Sequence, residues 1–150
     1  MIAVSVAYDL VFLVHVLAAV ATIVVLVTLR FAATALVRGA RPEEQATRFP
    51  PRPNWAARVI HLLPLTGLFM TLTGDSSVSL TRPWVGTGLL CYVLAAGHLE
   101  ARTLPQERAI AEIVAKDGAA SVERGREFLR SVNVLLALVG VALVAMLVQF

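Results

Sequence analysis

Cysteine is almost missing from this chain. Cys91 stands alone among 150 residues, which excludes an intrachain disulfide and every CxxC-type redox or metal motif. Charge is scarce as well, at 15% of residues. Lysine is reduced to Lys116 against twelve arginines, a bias that points to a GC-rich bacterial genome more than to a binding role. No GxSxG, HExxH, HxxxH, Walker or glycine-rich phosphate motif occurs, so the templates for nucleophilic, zinc and nucleotide chemistry are lacking. A non-enzymatic role is the expectation that follows. Asp9 and Glu100 are the acids near the apolar stretches, and both are expected at interfaces where solvation accounts for them. No internal repeat or low-complexity tract is present. "MIAVSVAYD" has no basic n-region and ends in an acid, so a cleaved signal peptide is not expected.

What the chain has instead is apolar length. Hydrophobic residues make up 58% of it, and the mean hydropathy is +0.78, far from the soluble average. Charges are cleared from four stretches, which predict membrane spans at about residues 10–29, 55–74, 84–101 and 130–150. About 20 apolar residues at ~1.5 Å each cross a ~30 Å hydrocarbon core. The first and last stretches meet that length. The middle two need Trp55, a snorkelling Arg58 and Trp84 at their boundaries. Helices one and four lack the polar face of a soluble bundle. The fold class read from this is all-α, a single transmembrane four-helix domain over residues 1–150, with spans two and three joined through "GDSSVSLTRP".

Of the 13 basic residues, twelve lie in Arg30–Arg58 or Arg102–Arg130, and one, Arg82, lies between spans two and three. The positive-inside rule puts both basic segments in the cytoplasm and both termini outside. The net charge of +3 therefore reflects topology and does not predict nucleic acid as a partner. The expected partners are the lipid bilayer and a membrane protein complex or a second copy of the chain, in a bacterial plasma membrane.

Punctuation sets the soluble parts. Helix one should continue to about Val37 or Arg38 and stop at Gly39. "RFPPRPNW" reads as an extended linker, with Asn54 as an N-cap for helix two. Pro83 suits the first turn of helix three. A short amphipathic cytoplasmic helix is predicted at about 105–117, stopped by Asp117-Gly118. Its stripe of Ala109, Ile110, Ile113 and Val114 faces its own protein, the headgroups or a partner.

Three histidines fall inside or beside the spans: His15, His61 and His98. Ionisable groups there are costly and usually face the interior. Rise per residue places His15 and Cys91 in an outer layer, with Thr71 near, and His61, His98 and Asn133 in an inner one. Helical spacing groups His15 with Ala18, Ala19 and Thr22, Cys91 with Thr87 and His98, and Asn133 with Ala137 and Gly140. These faces make a polar, small-residue seam between helices one, three and four. His61 shares a face with Pro64, Leu65, Leu68 and Leu72, and either looks inward or sits at the interface beside Arg58. Three readings of the histidines stay open. They fix helix packing by hydrogen bonds; His61 and His98 hold haem b between helices; or a metal or proton site, for copper or zinc if a metal, is made by His15 with Cys91 or by His98 with His61.

The order "FLVHVLAAV", "HLLPLTGLFMTLTG", "RPWVGTGLLCYVLAA" and a terminal apolar helix resembles a family of uncharacterised four-helix bacterial integral membrane proteins. That family is distantly similar to copper-resistance protein D-type membrane domains. His15, Pro64, Gly67, Pro83 and Trp84 carry the likeness, and Ala18 and Ala19 stand where the family has glycines. The resemblance implies the four-span architecture and inclines function towards metal or redox biology.

Overall fold

The computed structural model describes residues 2–74, 80 and 82–149, with side chains from residue 6 onward. Most of "GDSSVSLTRP" and the last residue of the predicted fourth span thus lie outside the described residues. Those described are helical, with no strand among them. The elements are α1 (Ile2–Val37), α2 (Pro42–Arg48), a 3-10 segment Ala56–His61 leading into α3 (Leu62–Thr73), α4 (Pro83–His98), a π-helical turn Leu99–Thr103, α5 (Leu104–Asp117) and α6 (Val122–Val148). Three stretches are long and apolar enough to cross a membrane: Val6–Val37, Ala56–Thr73 and Val122–Val148. α4 has 16 residues, roughly 24 Å of regular helix, and falls short of that length.

α1 is apolar on every side, so burial alone identifies its packing stripe. His15, Ala18, Thr22, Leu26, Leu29, Ala33 and Leu36 are buried at three- and four-residue steps. Leu13, Leu17, Val20 and Val24 stay more than half exposed, an apolar outer face that water would not tolerate over such an area. Hydroxyls on the helices turn inward on their own backbone: Thr28 donates to Val24 O, Thr34 to Arg30 O and Thr73 to Phe69 O, each at 2.8 Å. Where no water competes, that is how a threonine is satisfied.

α1 lies against α6 and α3, and α6 lies between α1 and α4; α3 and α4 touch each other over a short stretch only. The largest fully buried side chains gather at the pole holding the basic segments. Phe49, Phe128, Leu36, Ile60, Leu99 and Ile110 are all buried there, and Phe49 meets Phe128 edge-to-face at 5.8 Å. Among the described residues, none of these largest fully buried side chains lies at the opposite pole, where α1 begins and α6 ends.

The stop signals act as expected: α1 ends at Val37 before Gly39 (φ 74°), α4 opens on Pro83, and α5 ends before Gly118 (φ 83°). Four expectations need correcting. First, "RFPPRPNW" is not a bare linker, because Phe49 is 2% exposed and anchors the core. The preceding helix α2 is too short and polar to show a period. Its Gln45 is buried, donating to Ala40 O at 2.8 Å and accepting from Ala120 N at 2.9 Å. Second, the last helix begins at Val122, well before residue 130. Ser121 caps it by accepting from Arg124 N, and its charged first turns hide an inward face of Gly125 and Phe128. Third, α5 does not start afresh near residue 105. The helical path from Pro83 runs on into it through the π turn, in which Leu104 N reaches back to Leu99 O. That wider turn accommodates Pro105, which has no N–H to donate and would crowd a regular helix. Fourth, the inward face of the last helix is Val132, Leu135, Val139 and Ala142, whereas Asn133 and Ala137 are exposed. The predicted face of Asn133 and Ala137 points away: Gly125, Ala142 and Ala145 put small residues on the buried stripe too, while Val141, Val144 and Leu147 leave the outer side apolar, so residue size does not mark the buried face of this helix.

Candidate functional site

The three histidines have three different partners. His98 Nε2 meets Ser131 Oγ at 3.0 Å, and Ser131 Oγ meets Thr103 Oγ1 at 2.8 Å. Thr103 is fully buried, so this hydroxyl chain pins the π turn to α6. His61 Nε2 meets Glu100 Oε1 at 3.2 Å. Arg58 donates to the same carboxylate through Nε at 2.9 Å and Nη2 at 3.1 Å, and its guanidinium lies 4.8 Å over the Trp55 ring. Glu100 is therefore held by two basic side chains and not by solvation alone, which corrects the expectation for it. His61 ends the 3-10 segment and is partly exposed, on the side of the exposed Leu65 and Leu72, so it looks outward beside Arg58 and not into the bundle.

Asn133, expected on a layer with His61 and His98, accepts from Arg30 Nε at 3.1 Å. Cys91 is a buried free thiol on α4. Among the described residues, no three His, Cys, Asp or Glu side chains come together as a metal-ligand set. At the basic pole, Asn54 Oδ1 accepts from Ala57 N at 3.1 Å while its amide donates to Glu107 at 2.9 Å. Burial raises the Glu107 carboxyl above its usual range, opposed by that amide and by Arg108.

His15 behaves differently. Its Nδ1 lies 2.7 Å from Thr66 Oγ1 on α3, so the polar contact of helix one runs to helix two and not along the seam expected between helices one, three and four. The reason is close approach: a Cβ on Gly67 would sit 3.6 Å from His15 Cε1, and no side chain keeps the ring away from α3. The ring borders a cavity of about 300 Å³ towards the pole where α1 begins. Phe12 and His15 from α1, Leu63, Gly67 and Met70 from α3, Trp84, Val85 and Tyr92 from α4, and Met146 from α6 line it. Thr71, placed near His15 from sequence, lines it too, and its hydroxyl donates to Leu68 O at 2.8 Å.

The cavity exists because α3 and α4 barely meet while α1 and α6 close its back. Its walls are apolar and aromatic apart from a few polar atoms. Among the described residues, neither His15 Nε2 nor the Tyr92 hydroxyl has a hydrogen-bond partner. A concave apolar site with a small number of convergent polar groups is how small-molecule sites are generally built. Sequence reasoning found His15 and missed Tyr92 and Trp84 as its companions. The available signal was the pair of aromatic residues on α4, Trp84 in its first turn and Tyr92 two turns further on.

Comparison with protein-family models, curated proteins and solved structures finds no match to this chain.

Proposed function

We propose that this chain is an integral protein of a bacterial plasma membrane, with four spans and both termini outside. We further propose that it is a non-enzymatic accessory protein that holds a small lipid-soluble molecule in the cavity beside His15. The single observation that carries the ligand reading is that cavity: about 300 Å³, walled by apolar side chains from α1, α3, α4 and α6, with one imidazole nitrogen left open. Four spans are supported by α4, whose outward Leu90, Val93 and Leu94 are all more than half exposed and whose helical path continues past His98 through the π turn. The orientation rests on the twelve basic residues gathered in the two segments at one pole.

Binding of haem or copper is the other reading, and the partners recorded for the histidines bear on it. His61 and His98 both have Nε2 engaged, by Glu100 and Ser131, while His15 has Nε2 open. A ligand is thus better sought at His15 than between His61 and His98. The "AIAEIV" segment packs on its own protein through Ile110, Ala111 and Val114. A partner subunit or second copy would therefore meet the exposed apolar sides of the long helices.

Trp84 lines the cavity and Trp55 stands at the other pole, so Trp55→Phe leaves one reporter. Titration of the purified protein with 1-bromodecane should quench Trp84 saturably, and Gly67→Leu, which extends a side chain from beside His15 into the cavity, should abolish saturation. Quenching that rises linearly, or is unchanged in Gly67→Leu, contradicts a binding cavity.

A further inference from the structure

The hydrogen bonds around His15 decide which kind of ligand the cavity takes. Thr66 has one hydroxyl proton. Its oxygen lies 2.6 Å from Leu62 O and 3.3 Å from Leu63 O, carbonyls of its own helix that can only accept. The proton is committed there, so towards His15 Nδ1 at 2.7 Å the threonine oxygen acts as acceptor. Nδ1 therefore carries the imidazole N–H, and the neutral ring leaves Nε2 as a bare acceptor. Nothing among the described residues donates to it. Tyr92 also lines the cavity, and its hydroxyl can donate or accept.

We infer that the cavity binds a lipid-soluble aromatic alcohol of the hydroquinone class, in preference to the corresponding quinone. One phenolic hydroxyl donates to His15 Nε2, and the second oxygen takes the Tyr92 hydroxyl. The aromatic walls at Phe12, Trp84 and Tyr92 suit a ring between them. A quinone carbonyl brings a lone pair to a nitrogen that already presents one. Binding it requires His15 to shift its proton to Nε2 and Thr66 to turn its hydroxyl away from Leu62 O. The oxidised form should bind about tenfold more weakly, the loss expected when one polar pair in a dry site goes unmade. This inference rests on the cavity being a ligand site.

The test uses the full chain in detergent with Trp55→Phe, titrated with decylbenzohydroquinone, decylbenzoquinone and 1-bromodecane, all read by Trp84 fluorescence. The reduced form should saturate about tenfold below the oxidised one. His15→Leu, close in volume, removes the acceptor and should bring the reduced form to the affinity of the oxidised form. Thr66→Val frees Nδ1 and lets the proton move to Nε2; it should tighten quinone binding and erase the redox preference. Helical circular dichroism reports that each variant is folded. Equal affinity for the two forms in the parent protein, or a preference that survives Thr66→Val, overturns the assignment. Saturable binding of 1-bromodecane with no saturable binding of either ring compound overturns it while leaving the cavity reading intact. Failure of all three probes to saturate sinks both.

Discussion

Gly125 is where the packing can be tested most sharply. It is buried on the face of α6 that crosses α1, and a Cβ placed there would lie 2.8 Å from Leu36 Cβ, 3.2 Å from Val37 N and 3.3 Å from the Leu36 carbonyl carbon. These are backbone-anchored atoms, so no rotamer change relieves the clash, and α6 must move off α1. Gly125→Ala gains up to ~1 kcal/mol of helix propensity but incurs overpacking of about 1–3 kcal/mol or more. The outcome is net loss, with the melting temperature lowered by roughly 2–8 °C at the sensitivity usual for this chain length. Two substitutions calibrate it. At Gly88 the neighbour at 3.1 Å is Met146 Cε, the far end of a flexible side chain, and at Gly140 nothing lies within 4 Å. Gly88→Ala should change little and Gly140→Ala should be neutral or slightly stabilising. Thermal unfolding of the three variants in one detergent, followed by circular dichroism, gives the order. A Gly125→Ala protein that melts with Gly140→Ala would refute the crossing of α1 and α6 at this point.

Other sites give separate checks. Ser131→Ala leaves His98 Nε2 and the fully buried Thr103 hydroxyl without their common partner, a loss of about 1–3 kcal/mol by the usual penalty for an unmade buried bond, measurable by the same thermal unfolding. Phe128→Ala removes a 0% exposed ring from contact with Phe49 and should destabilise by about 3–5 kcal/mol; protease resistance of the α2–α5 region would fall with it. Glu107 has a raised pKa from burial, so the folded state keeps its proton to higher pH than the unfolded chain. Stability then declines as pH rises from the ordinary carboxylate range to the raised value and levels off above it. Glu107→Gln, which still accepts from Asn54, should melt higher at pH 7 and lose that slope; an unchanged slope contradicts the burial argument. A cytoplasm-only reporter fused after Phe150 should stay silent, and activity there would reverse the proposed orientation.

How much of this could be read from sequence depends on whether a local signal carried it. Gly39, Pro83 and Gly118 announce helix ends through backbone chemistry, and the structure ends or starts helices there. α2 escaped because five of its seven residues are polar and its one inward side chain, Gln45, looks like a surface amide. The start of α6 was hidden because Glu123, Arg124, Arg126 and Glu127 surround Gly125 and Phe128 in the sequence but not in space. Helical periodicity found the buried face of α1, where small and polar residues coincide with it. It failed on α6, where small residues and large apolar ones occur on both the buried and the exposed sides, so size marks neither. His15 could be singled out as an unusual group in an apolar helix. Its bond to Thr66 could not, because that depends on how closely α1 approaches Gly67, a distance that no single helix encodes.

The central claim is that the cavity beside His15 holds a lipid-soluble molecule. Its most direct test is mass spectrometry of the small molecules released by organic solvent from protein purified under mild detergent out of the membranes in which it was made. The parent protein should yield one lipid-soluble compound in near-stoichiometric amount, and Gly67→Leu should yield none of it while retaining the same ordinary phospholipids. Identical extracts from the parent and Gly67→Leu would contradict the account.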